Sequence, residues 1–268
     1  MRVLVLVKHL PDHTGVRRFT DRHLVDREAA SGILGELDEY AMEQAVRLRS
    51  AVPTSIVSLC LGSPGAEVAL VKTLQLGADE AFLLTDPAVR GSDALTTSLA
   101  LASAVRAIES QQGAGFDLIF CGMSSTDSYM GTQPAMLAER LGVGQLTFAT
   151  TLEVDPAART ARITRLMDGR TDLLEADFPA VVSVTDQAPA GRTPTIKDII
   201  AARAKPITRL DLEAIGLPRD RVGSTASRAR IQDASLRPAR PIGTIITDDG
   251  TGNSAQALAD FLLAAAPR

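Results

Sequence analysis

Two rhythms alternate along the first 142 residues. Short apolar runs at residues 2–8 (RVLVLVK), 54–60, 80–84 and 118–121 read as strands buried on both faces. Between them, residues 38–50, 66–76 and 93–110 place apolar side chains at helical spacing, and a fourth such helix follows the loop 122–131. Asp38 is expected to cap the first helix, whose acidic first turn and Arg47 and Arg49 in the last turn suit the helix dipole. Gly77 closes the second helix, and Gly91-Ser92-Asp93 supplies the cap of the third. Strand and helix alternate four times. That pattern predicts an α/β fold, a doubly wound, mostly parallel sheet with right-handed crossovers. Ligands in such sheets bind at the carboxyl ends of the strands, where strand order reverses. The loops at that end are residues 9–37, 61–65, 85–92 and 122–131.

The pattern changes after residue 146. Residues 146–154, 161–166 and 171–176 read as antiparallel strands, with DPAAR and MDGR as turns, and residues 180–184 (AVVSV) as a further buried strand. A Pro- and Gly-rich stretch then turns helical after Pro194. Residues 211–248 are charged, dotted with proline and weakly patterned, so they are expected to form a disordered tail or an arm that lies on something else. The last helix, 254–265, carries an apolar face of Ala257, Leu258, Phe261 and Leu262. The division expected is thus a Rossmann-like domain over 1–210 and a C-terminal arm over 211–268. Residues 9–37 hold no sustained period; a segment of that length is functional or contains a hairpin, for which DRHLVDRE (21–28) is the candidate.

Composition narrows the class. Tryptophan is absent and aromatics are 3% of 268 residues, so Val, Leu, Ile and Ala must build the core. A net charge of −4 argues against a dedicated nucleic-acid binder, which would carry a basic excess. Cys60 and Cys121 each end an apolar run and read as buried thiols in a reducing compartment; a disulfide between neighbouring strand ends is the alternative. No run approaches the ~20 apolar residues of a membrane span, and the N-terminal run lacks a signal-peptide cleavage site. The expectation is a cytoplasmic protein without membrane insertion.

The loop 122–131 is the strongest candidate site. Its small residues let backbone N–H groups converge on an anion, and the following helix N-terminus favours one. An ordinary polar connection with a good cap is the competing reading. It matches neither a Walker A loop nor a G-x-G-x-x-G fingerprint. LCLGSPG (59–65) is a second small-residue turn after a strand. His9, His13 and His23 crowd one segment, at spacings that match no zinc pattern, so no metal site is expected. Asp127, beside Ser124 and Ser125, has no histidine near it in sequence and reads as a loop-ordering or capping residue. No catalytic constellation assembles.

An ordered set of segments carries a resemblance: VLVKHLPD, DREAASGILGELDEYAMEQAVRL, SLCLGSPGAEVALVKTLQLGADEAFLL, GSDALTTSLALA, FDLIFCGMSSTD, PAMLAERLG, FPAVVSVTD and RTPTIKDIIAARAKPI. Over nearly its whole length the sequence resembles the beta subunit of electron transfer flavoproteins. The resemblance implies a Rossmann-like fold of the adenine nucleotide alpha hydrolase type. It also implies a heterodimer in which the alpha subunit holds most of the FAD site and the C-terminal arm packs on that subunit. The beta subunit would bind a structural AMP and carry electrons from acyl-CoA or related dehydrogenases to a membrane quinone oxidoreductase, as in fatty acid oxidation, with no catalytic residues of its own. Implied AMP contacts fall at Leu6, at Gly35, Glu36, Leu37 and Asp38, and at Leu61. They continue through Gly122, Met123, Ser124, Ser125, Thr126, Asp127, Ser128, Gly131, Thr132 and Gln133.

The sequence departs from the family where Asn-Pro-Phe becomes Gly35-Glu36-Leu37, where Gly-Lys becomes Gly122-Met123, and where Asp-Gly-Asp becomes Asp127-Ser128-Tyr129. The second change removes a phosphate-pairing lysine. The third favours AMP, or a pocket of reduced affinity, over the second FAD of bifurcating members. Residues 187–203 match the family's partner-recognition loop, with Ile196 at its usual leucine anchor and Arg192, Lys197, Ile199 and Ile200 around it. Arg192, Lys197, Arg203 and Lys205 form a basic cluster that suits an acidic partner surface or is simply solvated. The alternative function is a stand-alone, stress-protein-like module that binds an adenine nucleotide. An ATP-pyrophosphatase is disfavoured, because KHLPDHTG stands where its S-G-G-x-D-S loop would follow the first strand.

Overall fold

The computed structural model describes residues 1–12, 18–21, 23–27, 32–248, 250 and 252–265. Its elements, in chain order, are β1 (Arg2–Val7), β2 (His9–Pro11), β3 (Gly32–Leu34), α1 (Glu36–Ala51), β4 (Ser55–Leu61), α2 (Glu67–Leu76) and β5 (Glu80–Leu84). Then come α3 (Ala94–Gln112), β6 (Leu118–Gly122), α4 (Gln133–Leu141), β7 (Gly144–Ala149), β8 (Thr151–Asp155), β9 (Thr160–Met167) and β10 (Arg170–Asp177). The chain continues through β11 (Ala180–Val184), α5 (Ile196–Ala202), β12 (Ile207–Leu210), α6 (Gly223–Ala226) and α7 (Asn253–Ala265).

Seven strands form the central sheet in the order β12-β5-β4-β1-β6-β11-β7, and every neighbouring pair is parallel. Successive residues of each central strand serve opposite faces. Val3, Val5, Val7, Ile56 and Phe120 pack with α1 and α2, whereas Leu4, Leu6, Val57, Leu59 and Ile119 pack with α3 and α4. This explains the unbroken apolar runs: both faces are covered, so no polar alternation survives. Asp93 caps α3 by accepting the Thr96 N–H at 2.9 Å, and Gly113 ends that helix in the left-handed region.

The sheet reverses its order between β1 and β6. From β1 the chain builds outward through β4, β5 and later β12; β6, β11 and β7 lie on the other side. The crevice above the carboxyl ends of β1 and β6 is therefore the topological switch point.

The structure departs from the sequence pattern at two places. The single strand expected over 146–154 is two strands. Residues up to Ala149 pair with β11 as the parallel edge of the central sheet, and β8 starts a separate antiparallel sheet, β10-β9-β8. The break is local. Phe148 takes φ +63°, its N–H donates to the buried Ser183 Oγ at 2.9 Å, and the β7–β11 register shifts between Val182 and Val184. The expected arm also begins later. Leu212, Ile215, Leu217 and Val222 join the core on the α3 face, and β12 forms the sheet edge. Asp93 accepts the Arg228 and Ala229 N–H groups, so the compact unit runs from Met1 to Ala234. The second unit, Ser235–Arg268, contains α7, on which Leu258, Phe261, Leu262 and Leu263 are exposed.

The segment between β1 and α1 holds a ribbon, β2 against β3, and a tight turn in which Phe19 bridges Val25. That hairpin centres on residues 20–24; part of the expected one, at residues 22 and 28, falls outside the described residues. Among the described residues no helix is long and apolar enough to cross a membrane.

Candidate functional site at the sheet switch point

Leu6 and Leu61 stand at the carboxyl ends of β1 and β4, Leu6 buried and Leu61 half-buried. Gly35 precedes α1 and bonds back to Lys8 O at 3.0 Å, which brings the start of α1 over the end of β1. Glu36 points to solvent, while Leu37 and Asp38 turn inward. Gly122, the last residue of β6, lies directly beneath this turn. A Cβ there would sit 2.8 Å from Asp38 Oδ1 and 2.9 Å from both the Leu37 carbonyl carbon and its Cβ. Only glycine permits this approach, because two of those three neighbours are a helix backbone and the branch point next to it.

Asp38 is not the cap of α1. The helix starts two residues earlier, with Gly35 at its N-cap and no side-chain cap bond. Asp38 is buried and accepts the Lys8 N–H at 2.8 Å and the Gly122 N–H at 3.3 Å. One carboxyl group thus joins the ends of β1 and β6. Burial pushes its pKa up to about 7, against the pull of those two N–H bonds.

Asp127 meets the opposite fate. It pairs with Lys8 Nζ at 2.8 Å and with the Arg27 guanidinium, and its side chain is 8% exposed. Burial alone would raise its pKa, but the two cations and its hydrogen bonds hold it down to about 2. Lys8 is pulled below its ordinary value by burial, with Arg27 adding to the pull against Asp127. Asp127 thus answers two cations at once. Lys8 also reaches Ser125 Oγ at 3.2 Å. The lysine that follows β1 therefore stands over a loop, residues 122–131, that carries no lysine of its own. Lys8 was legible as a charge at the site end of a buried strand; Arg27 sits in an unpatterned segment and had no such signal.

The loop 122–131 is less open than its composition implies. Met123 N–H extends the ladder to Val184 O at 2.9 Å, and the Ser128 and Tyr129 N–H groups both return to Ser125 O. Ser125 and Ser128 hydroxyls bond each other at 2.7 Å. Ser124 and Thr126 are half-buried, whereas Ser128 and Tyr129 are exposed. Gly131, at φ +65°, turns the chain into α4. There Thr132 Oγ1 and Gln133 Oε1 are buried and, among the described residues, have no hydrogen-bond partner. Gln133 Nε2 is fixed on Ala94 O at 2.9 Å, which sets the orientation of its amide. Buried oxygens without partners are costly unless another group supplies a donor or accepts the hydroxyl proton. A phosphate or ribose edge has that chemistry, and the residues present fit a small anionic nucleotide.

The second predicted surface, residues 187–203, is a turn leading into α5. Thr195 and Asp198 form a capping box. Ile196 is 78% exposed and Ile200 59%, one helical turn apart, and Ile199 is half-buried. Lys197 is exposed. Arg192 is not a free docking cation: it forks onto Glu43 of α1, with Nε–Oε2 at 2.8 Å and Nη2–Oε1 at 3.0 Å. Lys205 is likewise engaged, closing the end of α2 by donating to Leu74 O and Ala78 O. A groove of about 640 Å3, lined by Ile33, Tyr40, Val68, Lys72 and Gly191 among others, runs beside this segment rather than over the 122–131 loop.

Cys60 and Cys121 are both buried and free. Burial pushes the Cys60 thiol up to about 12 and raises that of Cys121 as well. His9 lies on β2 and His23 in the turn near Val25; His13 lies outside the described residues.

The family described as Electron transfer flavoprotein domain matches residues 23–215. The chain is 37% identical over 258 residues to an electron transfer flavoprotein subunit beta of Mycobacterium leprae, covering 94% of each chain. It is 28% identical over 248 residues to one of Thermoanaerobacterium thermosaccharolyticum, covering 92% of each. It is also 32% identical over 271 residues to Protein FixA of Bradyrhizobium diazoefficiens, covering 100% of this chain and 93% of the other.

Proposed function

Because the chain belongs to the electron transfer flavoprotein family, we propose that it is the beta subunit of a heterodimeric electron carrier whose alpha subunit holds most of the FAD site. The flavin supplies the redox chemistry when it is bound. This chain binds a structural AMP, helps to close the flavin site and presents the docking surface, with no bond-making chemistry of its own. It works in the cytoplasm, taking electrons from acyl-CoA dehydrogenases or related flavin dehydrogenases, as in fatty acid oxidation, and passing them on to a membrane quinone oxidoreductase. The exposed apolar face of α7 supports an arm that packs on the alpha subunit.

The observation that carries the AMP reading is the pair of buried oxygens at Thr132 and Gln133, unpartnered among the described residues, where the loop that Lys8 contacts runs into α4. Leu6 and Leu61 offer apolar walls for a base. Lys8 and Arg27 supply the cations that Met123 does not, two beside the single carboxylate of Asp127. The test is mass spectrometry of the nucleotide released by heat from the purified heterodimer. One AMP per beta chain is expected. A pocket that releases nothing, or FAD held by the beta chain alone, contradicts the reading.

A further inference from the structure

We propose that Glu43 is a positioning residue for partner docking, acting through Arg192 to fix the turn from which α5 presents Ile196 and Ile200. The inference rests on the docking role given to residues 187–203 above. Glu43 lies in the middle of α1, with its side chain 7% exposed, and accepts three bonds from one residue: Arg192 Nε, Nη2 and backbone N–H. A planar fork on a carboxylate fixes direction as well as distance, which a lysine cannot do. Beside it, Gly191 lies flat on α1, where an added Cβ would come within 3.3 Å of Glu39 O. The turn is thus seated on a helix that belongs to the core.

The other end of the segment is held independently. Thr195 and Asp198 cap α5 reciprocally, and Lys205 ties the chain after α5 to the end of α2. Between these fixed points the two isoleucines are left outward at i, i+4, the larger part of each side chain exposed among the described residues. Holding these apolar side chains rigid at the surface reduces the ordering entropy that binding must overcome. The clamp therefore acts on association with the partner and not on the chain's own core.

The test uses the complete heterodimer and the acyl-CoA dehydrogenase whose activity the wild-type heterodimer supports. Three variants are compared: Ile196→Ala, Glu43→Gln and Arg192→Lys, the last keeping the charge and losing the fork. Arg192 is half exposed, so its lysine variant folds even if a buried Glu43→Gln does not. Ile196→Ala is expected to raise the KM for the heterodimer by about 30-fold. Glu43→Gln and Arg192→Lys are expected to raise it about five- to tenfold, with kcat, flavin content and nucleotide content unchanged. Amide exchange should quicken over residues 189–203 alone. The exchanged pair Glu43→Arg with Arg192→Glu should recover most of the loss. If Ile196→Ala acts but Arg192→Lys leaves KM unchanged, the positioning role is wrong and the docking role stands. If Ile196→Ala has no effect, the docking role fails and the positioning role with it.

Discussion

At the carboxyl ends of β1 and β6, charged groups are buried and a glycine lets two backbones close on each other; at α5, apolar groups are exposed and charged groups hold them there. The first region buries Asp38 and most of Asp127 and leaves two oxygens without partners among the described residues. The second forks Arg192 onto Glu43 and leaves Ile196 and Ile200 in water. Each carries a local cost that ordinary packing would remove. Buried charge is tolerated where a small polar ligand is to be held, and exposed hydrocarbon where a protein surface is to be met. The two costs also differ in what they couple to. The inner one is tied to the backbone of the core, the outer one to a short segment clamped at both ends.

The strongest break in this comparison is Gly122→Val. Its side chain must displace the Leu37 backbone and the Asp38 carboxylate, so the damage enters the core. Overpacking of this kind costs about 1–3 kcal/mol or more. Thermal melting should fall by roughly 2–12 °C at ~2–4 °C per kcal/mol, with loss of bound nucleotide. Gly243→Ala, where an added Cβ meets nothing within 4 Å, serves as the control and should leave the melting temperature unchanged.

Ile196→Ala is the counterpart on the outer surface. Melting should move by less than the shift of an ordinary surface substitution, about 0.5 kcal/mol. Electron transfer from the dehydrogenase should drop about 30-fold, as when an interface anchor is truncated. A variant that melts early and transfers normally would make Ile196 a packing residue and erase the contrast.

Smaller and slower effects separate the two carboxyl groups of the inner region. Asp38 is raised from its ordinary 3.8 to about 7, so the folded state holds a proton that the unfolded chain has released. Its contribution to stability is full below about pH 4 and is lost as pH rises through 7. Asp127 is lowered to about 2, so its contribution is full above about pH 4 and is lost as pH falls toward 2. Chemical denaturation across pH should therefore show opposite slopes on the two sides of pH 4, each at most about 1.4 kcal/mol per pH unit from one group. Asp38→Asn should flatten the slope between pH 4 and 7, and Asp127→Asn the one below pH 4. Identical profiles for wild type and both variants would contradict the assignment.

The central strands were legible because residues buried on both faces leave continuous apolar runs, as in β1 and β6. The α3 cap was legible because Asp93 acts within its own turn. What failed was non-local. The break at Phe148 depends on Ser183, more than thirty residues later, and nothing in the local pattern announces it. Asp38 looked like a cap because its sequence neighbours fit one; its partners are the N–H groups of Lys8 and Gly122, which only the sheet order brings together. Arg192 looked free because Glu43 is 149 residues away. Residues 211–234 looked unstructured because Leu212, Ile215, Leu217 and Val222 follow no period, yet each reaches the core. The candidate loop and α5 were both found by sequence, while the cations of the inner site came from the far end of β1 and from the β1–α1 segment.

The most direct test of the account is co-expression with the alpha subunit of the same organism, followed by measurement of the mass and cofactor content of the purified complex. The account predicts a 1:1 heterodimer holding one FAD and one AMP, reduced by the dehydrogenase with its acyl-CoA substrate, with residues 235–268 protected from amide exchange only in the complex. A chain that remains alone, binds ATP and takes up no flavin-bearing partner would contradict it, and would identify a stand-alone nucleotide-binding module instead.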